Sequence, residues 1–267
     1  MIRDLQARIT DPEGSGAVQL QTSLDPDMAG RLRLERAAIS GGAIRLEAGR
    51  LLRGQGLNLQ SQANGDAIRI HSGGTLDLNA VVMNAAGGAG RVLLQTGQPD
   101  SWAGGGTLRL RSVQVQGHEV GALAGGDLDA TNLQVEAGRA GARGPLTLAA
   151  GLDAGRRAPG NLRIGQANLT GQEIQVMAAG RLDLEGVSVR AGDPGLGGSL
   201  TLVTGRDANH STGGPARLVD VDLTAQILQL RAGGGVELRQ ATLKAGEVGR
   251  PGQLQIDTGV SQREGQE

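Results

Sequence analysis

The chain contains no phenylalanine, no tyrosine and no cysteine, and only one tryptophan among its 267 residues. Globular cores of this length ordinarily use aromatic side chains to fill irregular volume. An interior built of Leu, Ile, Val and Ala therefore indicates a narrow core in which one shape recurs. Without cysteine there is no disulfide framework, no thiolate zinc site and no thiol nucleophile. These absences favour a repetitive architecture over an ordinary globular domain.

An excess of charge of one sign is lacking as well, since 26 basic and 27 acidic residues give a formal net charge of -1. Proteins that bind nucleic acid or anionic membranes ordinarily carry a basic excess, so we expect neither partner. The sequence has no apolar run long enough to span a bilayer. Its first residues lack the apolar segment of a signal peptide, so a secreted protein of this kind is expected to be a piece of a longer precursor.

The main pattern is an internal repeat of constant length. One repeat length carries Leu108 onto Leu162, and the same offset carries Leu182 onto Val236. Each unit holds two groups of three short segments in which apolar and polar residues alternate. Alternation with a period of two predicts strands with one buried face. Because no two-residue turn pair recurs between these segments, we do not expect hairpins to connect them.

The repeat predicts an all-β fold, a right-handed parallel β-helix or solenoid with three short strands per coil. The pattern gives nine full coils and a partial one, so about nine to ten in all, and a rod roughly 45 Å long. We expect a single solenoid domain over residues 1–267. Its predicted parts are a partial, irregular N-terminal coil (1–29), less regular coils (30–104), regular 54-residue repeats (105–260) and a polar tail (261–267).

Parallel stacking of these coils predicts one inward and one outward column on the first strand of each coil. The inward column is predicted to contain Leu110, Ala130, Ile164, Leu184, Leu218 and Leu238. The outward column, called the charge column below, consists of Arg109, Asp129, Arg163, Asp183, Arg217 and Glu237. Opposite charges would meet at neighbouring strands, which favours one register and contributes little to stability. An active site is a local break in a repeat, whereas this column is the repeat itself, so we interpret it as structural.

Short glycine-containing segments recur throughout the repeats. They are Ala124-Gly-Gly-Asp-Leu128, Val135-Glu-Ala-Gly138, Ala179-Gly-Arg-Leu182, Val189-Arg-Ala-Gly192, Leu202-Val-Thr-Gly205 and Leu243-Lys-Ala-Gly246. With them the chain, at least from Gly30 to Gly259, resembles the haemagglutinin-type repeats of two-partner-secretion exoproteins, the filamentous haemagglutinin family. The Asn-Pro-Asn-Gly and Asn-Pro-Asn-Leu segments of that family's secretion domain are missing, so only the repeat shaft is expected here.

That resemblance implies a right-handed β-helix that is exported across the outer membrane, with a secreted or bacterial cell-surface location. It implies a role as the stalk of an adhesin or effector, without enzymatic activity. The partners it implies are a carbohydrate or protein receptor on a host cell or other cell surface. An outer-membrane secretion transporter is a further implied partner if the chain belongs to a full exoprotein.

Trp102 is a candidate surface contact in the loop before Gly104. It could stack on a sugar, anchor a partner protein or cover aliphatic surface beside the shaft. Loop aspartates recur at Asp25, Asp153 and Asp207, and we interpret them as turn caps because a calcium site needs several converging oxygen ligands.

The three histidines, His71, His118 and His210, occupy unrelated repeat positions and are expected to be solvated at the surface. The sequence predicts no cofactor, metal ligand or catalytic residue. The alternative to a stalk is a carbohydrate-active β-helix enzyme, a lyase or hydrolase with carboxylates on an outer sheet. A third alternative, a surface-lattice binder such as an ice-binding solenoid, needs a regular Thr face, which the Gln residues around Thr147 and Thr201 dilute.

Overall fold

A computed structural model describes residues 2–3, 6–8, 16–22, 30–97, 105–139, 142–151, 160–193, 196–205, 213–247 and 249–259. Every regular element in these ranges is a β-strand, so the all-β prediction is confirmed. Trp102, Asp25, Asp153, Asp207 and His210 lie outside the described residues.

The chain passes alternately through two sheets. The first strands along the chain are β1 (Ile2–Arg3), β2 (Gln6–Arg8), β3 (Val18–Gln21), β4 (Arg31–Glu35), β5 (Ala38–Gly41), β6 (Ile44–Ala48), β7 (Leu51–Gln55), β8 (Asn58–Ser61), β9 (Gly65–Ser72), β10 (Thr75–Ala85), β11 (Gly90–Thr96) and β12 (Leu108–Gly117). They are followed by β13 (Glu119–Ala124), β14 (Leu128–Arg139), β15 (Ala142–Arg143), β16 (Leu146–Ala150), β17 (Leu162–Gly171), β18 (Glu173–Ala178), β19 (Leu182–Ala191), β20 (Ser199–Thr204), β21 (Ala216–Ala225), β22 (Ile227–Ala232), β23 (Val236–Glu247), β24 (Arg250–Pro251) and β25 (Gln253–Thr258).

In both sheets the strands lie side by side in the order in which they occur in the sequence. Sheet A has 15 strands with the main path β1-β4-β7-β10-β12-β14-β17-β19-β21-β23-β24, and β2, β5, β8 and β15 pair beside this path. Sheet B has ten strands in the order β3-β6-β9-β11-β13-β16-β18-β20-β22-β25. The named strands pair in parallel, apart from the short antiparallel pairs β14–β15 and β23–β24. Long parallel sheets therefore run through the described chain.

The long strands of sheet A are bent at a single residue. In β17, Leu162 and Leu169 both face the core, but two consecutive outward residues, Gly165 and Gln166, interrupt the alternation between them. Gln166 has a φ of 52°, in the left-handed region, and this turns the strand so that both halves bury their apolar residues. The sequence predicted two separate strands here, whereas from β10 onward the structure has one continuous bent strand.

The bend recurs once in each passage of the chain through sheet A from β4 to β23. The residues with φ between 49° and 65° at this position are Arg36, Gly56, Ala80, Ser112, Asn132, Gln166, Gly186, Asp220 and Gln240. Most carry a side chain, although left-handed backbone is uncommon outside glycine. At one pair of neighbouring bends the side chains make contact, since the Asn132 amide donates to the Ser112 hydroxyl at 3.2 Å. We call these residues the bend column.

Between the sheets lies one core cluster of aliphatic side chains, which extends from Val18 to Ala232. It includes five residues of the predicted inward column, all at most 1% exposed: Leu110, Ala130, Ile164, Leu184 and Leu218. Leu238 continues the column in register with Leu218, but it is 41% exposed. No described strand covers it on the other side. Leu254 and Ile256 on β25, the edge strand of sheet B, are exposed for the same reason.

Candidate functional site

The charge column is formed as register pairs on successive strands of sheet A. Its neighbours are Arg109 and Asp129, Asp129 and Arg163, Arg163 and Asp183, Asp183 and Arg217, and Arg217 and Glu237. The column extends further upstream than the sequence pattern indicated, because Asp77 is in register with Arg109 and Arg53 is in register with Asp77. Irregular spacing between the earlier strands hid these two positions in the sequence.

Ion pairing along the column is uneven. Asp183 receives a hydrogen bond from the Arg217 guanidinium at 2.9 Å and lies 3.6 Å from Arg181. Hydrogen bonding to Asp183 raises the pKa of Arg217 above its ordinary value. Within the described part of the chain, no ion pair joins Arg109, Asp129 or Arg163 to a neighbouring strand. The long side chains at these positions are in register without closing a contact, so Asp183 is the position that tests the column.

Reversing the charge at Asp183 tests whether the column sets register. Asp183→Arg places a cation between Arg163 and Arg217, so we expect a fall in Tm of a few degrees that shrinks at high salt as the charges are screened. Adding Arg163→Asp restores one attraction but sets the new carboxylate beside Asp129 and leaves the new arginine beside Arg217. The double variant should therefore remain less stable than the wild type. Thermal melts at low and high salt measure both effects. If neither variant shows a fall in Tm that depends on salt, the charge column does not set the register of the strands.

A second charged group, at the start of the sheet B strands, was missed by the sequence analysis. Asp66, Arg91 and Glu119 are neighbours in register on β9, β11 and β13. The Arg91 Nε donates to Asp66 at 2.7 Å, and its Nη1 lies 3.7 Å from Glu119. The hydrogen bond to Asp66 raises the pKa of Arg91, although partial burial of the guanidinium acts in the opposite direction. The sequence does contain a signal for this group, because the opposite charges are separated by about the number of residues between successive strands of sheet B.

The turns that lead from a strand of sheet A to the next strand of sheet B, called A-to-B corners here, are alternately wide and tight. The wide corners contain the antiparallel pairs Gly138–Arg143, Asp193–Gly197 and Gly246–Pro251. The tight corners are centred on His118, Gln172 and Gln226, which are spaced by one repeat length. The backbone amides of these three residues donate to the carbonyls of Gly90, Gly144 and Gly198 at 2.8, 2.8 and 2.9 Å. The three side chains therefore start from equivalent backbone positions.

At two of the tight corners the glutamine side chain fastens the next wide corner. Gln172 Nε2 donates to the carbonyl of Gly197 at 2.6 Å, and Gln226 Nε2 donates to the carbonyl of Pro251 at 2.5 Å. The Gln172 corner is also crossed by Arg143, which lies 2.8 Å from Glu136 and 3.0 Å from Asp193. Side chains thus link each of these two corners to the next wide corner.

Beside the His118 corner the corresponding space is open. A recess of about 400 Å³ lies there, and its polar side chains are Asn84, Gln116, His118 and Arg139. The backbone of Gly87 and Gly88 forms part of the wall. The described residues that line this recess include no Asp or Glu. We call it the corner recess.

The structure corrects the expectation for one histidine. His71 is only 6% exposed, and its Nε2 lies 2.7 Å from the Gly97 carbonyl oxygen, so it is a buried, hydrogen-bonded residue of β9. His118 is exposed as expected, but it belongs to a repeated corner position that the sequence analysis did not align. Applying the repeat offset to His118 itself would have found Gln172 and Gln226.

In the ranges that the structure describes, no group of three or more His, Cys, Asp or Glu side chains is arranged to hold a metal ion. A search of the same ranges finds no helix with the length and apolar character needed to cross a membrane. No family model, no curated protein and no solved structure matches the chain.

Proposed function

We propose that the two sheets are the walls of a right-handed β-helix with nine complete coils and one partial coil. The support is that both sheets follow chain order and that the bend column contributes one residue to each described passage from β4 to β23. Right-handed crossover is the rule for parallel strands connected within a sheet. Each coil has three faces, two from the bent strand of sheet A and one from sheet B. At a strand spacing near 4.8 Å the rod is roughly 45 Å long.

We further propose that this rod is a structural or adhesive stalk of a secreted or surface-exposed bacterial exoprotein. The observation that carries the proposal is the regular register of the charge column, in which each described strand repeats its predecessor. The haemagglutinin-type repeats named above have such a shaft and such a location. In this function the rod presents a receptor-binding surface away from the cell. An outer-membrane transporter serves as its export partner if the chain belongs to a larger exoprotein.

The second candidate function is a carbohydrate-active β-helix enzyme, and the corner recess is the observation that favours it. The recess is a local break in an otherwise regular repeat, and concave breaks are where binding and catalytic groups collect. Asp77 is a second feature of this kind, since its side chain is only 10% exposed and its carboxylate lies 3.2 Å from Arg53 and 3.4 Å from Arg111.

One set of assays separates the two functions. We expect the wild-type chain to release no reducing ends from acidic or neutral polysaccharides, and to coat beads so that they adhere to cells or to immobilised glycans. The enzyme alternative predicts turnover of an acidic polysaccharide that Asp77→Asn abolishes in a protein that still unfolds cooperatively in a thermal melt. Turnover by the wild type that is lost in this variant overturns the stalk assignment. Beads coated with a chain denatured before coupling are the control for adhesion.

A further inference from the structure

The corner recess departs from the repeat at two positions. The first is His118, which stands where Gln172 and Gln226 fasten the following wide corner. The second is Arg139, which stands one repeat length before Asp193 and two before Glu247. One departure replaces the amide that bonds to the next wide corner with an imidazole that lines the recess, and the other reverses the sign of a charge at the rim.

The second departure places a cation at the rim that pairs with no carboxylate among the described residues, since nearby Glu136 is paired with Arg143. At the Gln172 corner, Asp193 is neutralised by Arg143. Arg139 lies within ion-pair distance of no carboxylate in the described part of the chain, and its side chain is exposed. An exposed guanidinium beside a concave surface that lacks acidic residues attracts an anionic group, and its planar fork suits a carboxylate.

The remaining lining groups suit hydroxyls. The amides of Asn84 and Gln116 each offer donors and an acceptor, and the His118 ring offers one of each when neutral. Sugar hydroxyls likewise both donate and accept. A volume of about 400 Å³ is at the small end of ligand pockets, which fits one or two sugar units better than a longer segment.

From these observations we propose that the corner recess binds the carboxylate-bearing sugar unit of an acidic polysaccharide. Arg139 holds the carboxylate, and His118, Asn84 and Gln116 hydrogen-bond the ring hydroxyls. The proposal rests on the adhesive function proposed above and names the class of its ligand. It adds no chemical step, because the ligand is bound and released unchanged.

The experiment measures binding of a galacturonic acid trisaccharide by titration calorimetry, with its methyl ester and a neutral galactose trisaccharide as matched probes. We expect the wild type to bind the acid and to bind both neutral probes at least about tenfold more weakly, as a lost charge-assisted hydrogen bond implies. His118→Gln installs the repeat residue, whose amide would donate to the Arg143 carbonyl, so that neither an imidazole nor a free amide would face the recess. Arg139→Asp installs the acidic residue of the repeat. Each is expected to weaken binding of the acid about tenfold or more.

Two controls separate the recess from general charge. Arg190→Gln removes an exposed arginine from β19, away from the recess, and should leave binding within about twofold at physiological ionic strength. Gln172→His alters an equivalent corner where Asp193 and Arg143 remain in place, and should also leave binding unchanged. Thermal melts establish that each variant is folded, and if His118→Gln is not, Arg139→Asp carries the test.

The inference is overturned if the wild type fails to bind the acid at millimolar concentration, if the methyl ester binds equally well, or if neither recess variant weakens binding. Failure of the recess is distinguishable from failure of the stalk. Coated beads that adhere equally well with His118→Gln reject the recess and leave the stalk intact. Turnover of the trisaccharide rejects the stalk, whether or not the recess variants weaken binding.

Discussion

An aspartate in place of Leu182 is expected to lower the free energy of unfolding by about 4 kcal/mol or more. Leu182 is the first residue of β19 and is 0% exposed. Its register neighbours Leu162 and Ala216 are also buried. A carboxylate at this position would meet only aliphatic side chains, so it must either be desolvated without a partner or fold in its protonated form. Both routes cost free energy that leucine does not.

Gln175→Asp is the matched control, because Gln175 is an exposed, outward residue of β18. It should change the free energy of unfolding by less than about 1 kcal/mol. Urea unfolding followed by circular dichroism gives both values. Since arrays of repeats can unfold in parts, hydrogen exchange should show the Leu182 variant opening first around β17, β19 and β21. Similar losses for the two variants would mean that the assigned inside and outside of the strands are wrong.

The second large effect is expected at Gly144, which closes a wide A-to-B corner. A Cβ added to Gly144 would lie 1.6 Å from the His118 carbonyl oxygen and 2.7 Å from the carbonyl carbon. Both atoms belong to the backbone of a tight corner, so neither can move aside as a side chain end could. Gly144→Ala should therefore destabilise the protein by about 3 kcal/mol or more.

Gly165→Ala is the control for this substitution. Gly165 lies in β17 with no atom within 4 Å of an added Cβ, and its φ is not in the left-handed region. Alanine there should be neutral or should stabilise by about 0.5 kcal/mol, because the unfolded chain loses freedom. Thermal melts of the two variants measure the contrast. If the Gly144→Ala variant has the same Tm as the wild type, this close backbone approach does not exist in solution.

The register of the regular repeats could be predicted from the sequence because the repeat offset needs no insertion. In parallel strands a constant repeat length reproduces the same pairing two strands further on, so the pairing of Arg109 with Asp129 recurs as the pairing of Arg163 with Asp183. The bends could not be predicted in this way. Their residues include Ala80 and Gln166 as well as Gly56, so no residue type marks them, and the left-handed backbone is imposed by the two apolar halves on either side.

Burial at the edge of a sheet also escapes a local pattern. Leu218 and Leu238 have the same alternation around them, and only the presence of a covering strand separates a buried side chain from an exposed one. The corner recess required three dimensions for the same reason. Gln172 has no evident role in its own segment, and its function becomes visible only when Gly197 is placed beside it.

The bend column also provides a set of exposed positions at equal spacing along the stack of strands. Its non-glycine members are exposed, and successive members are one strand separation apart, roughly 4.8 Å. The hydrogen bond between the Asn132 and Ser112 side chains shows that two successive positions of the column are within contact distance. Because the chain contains no cysteine, two cysteines introduced at two positions of the bend column would be the only residues that react with a thiol-specific label. Pairs such as Ser112 with Gln166 and Ser112 with Gln240 then provide a set of label distances that grow in equal steps along one edge of the molecule.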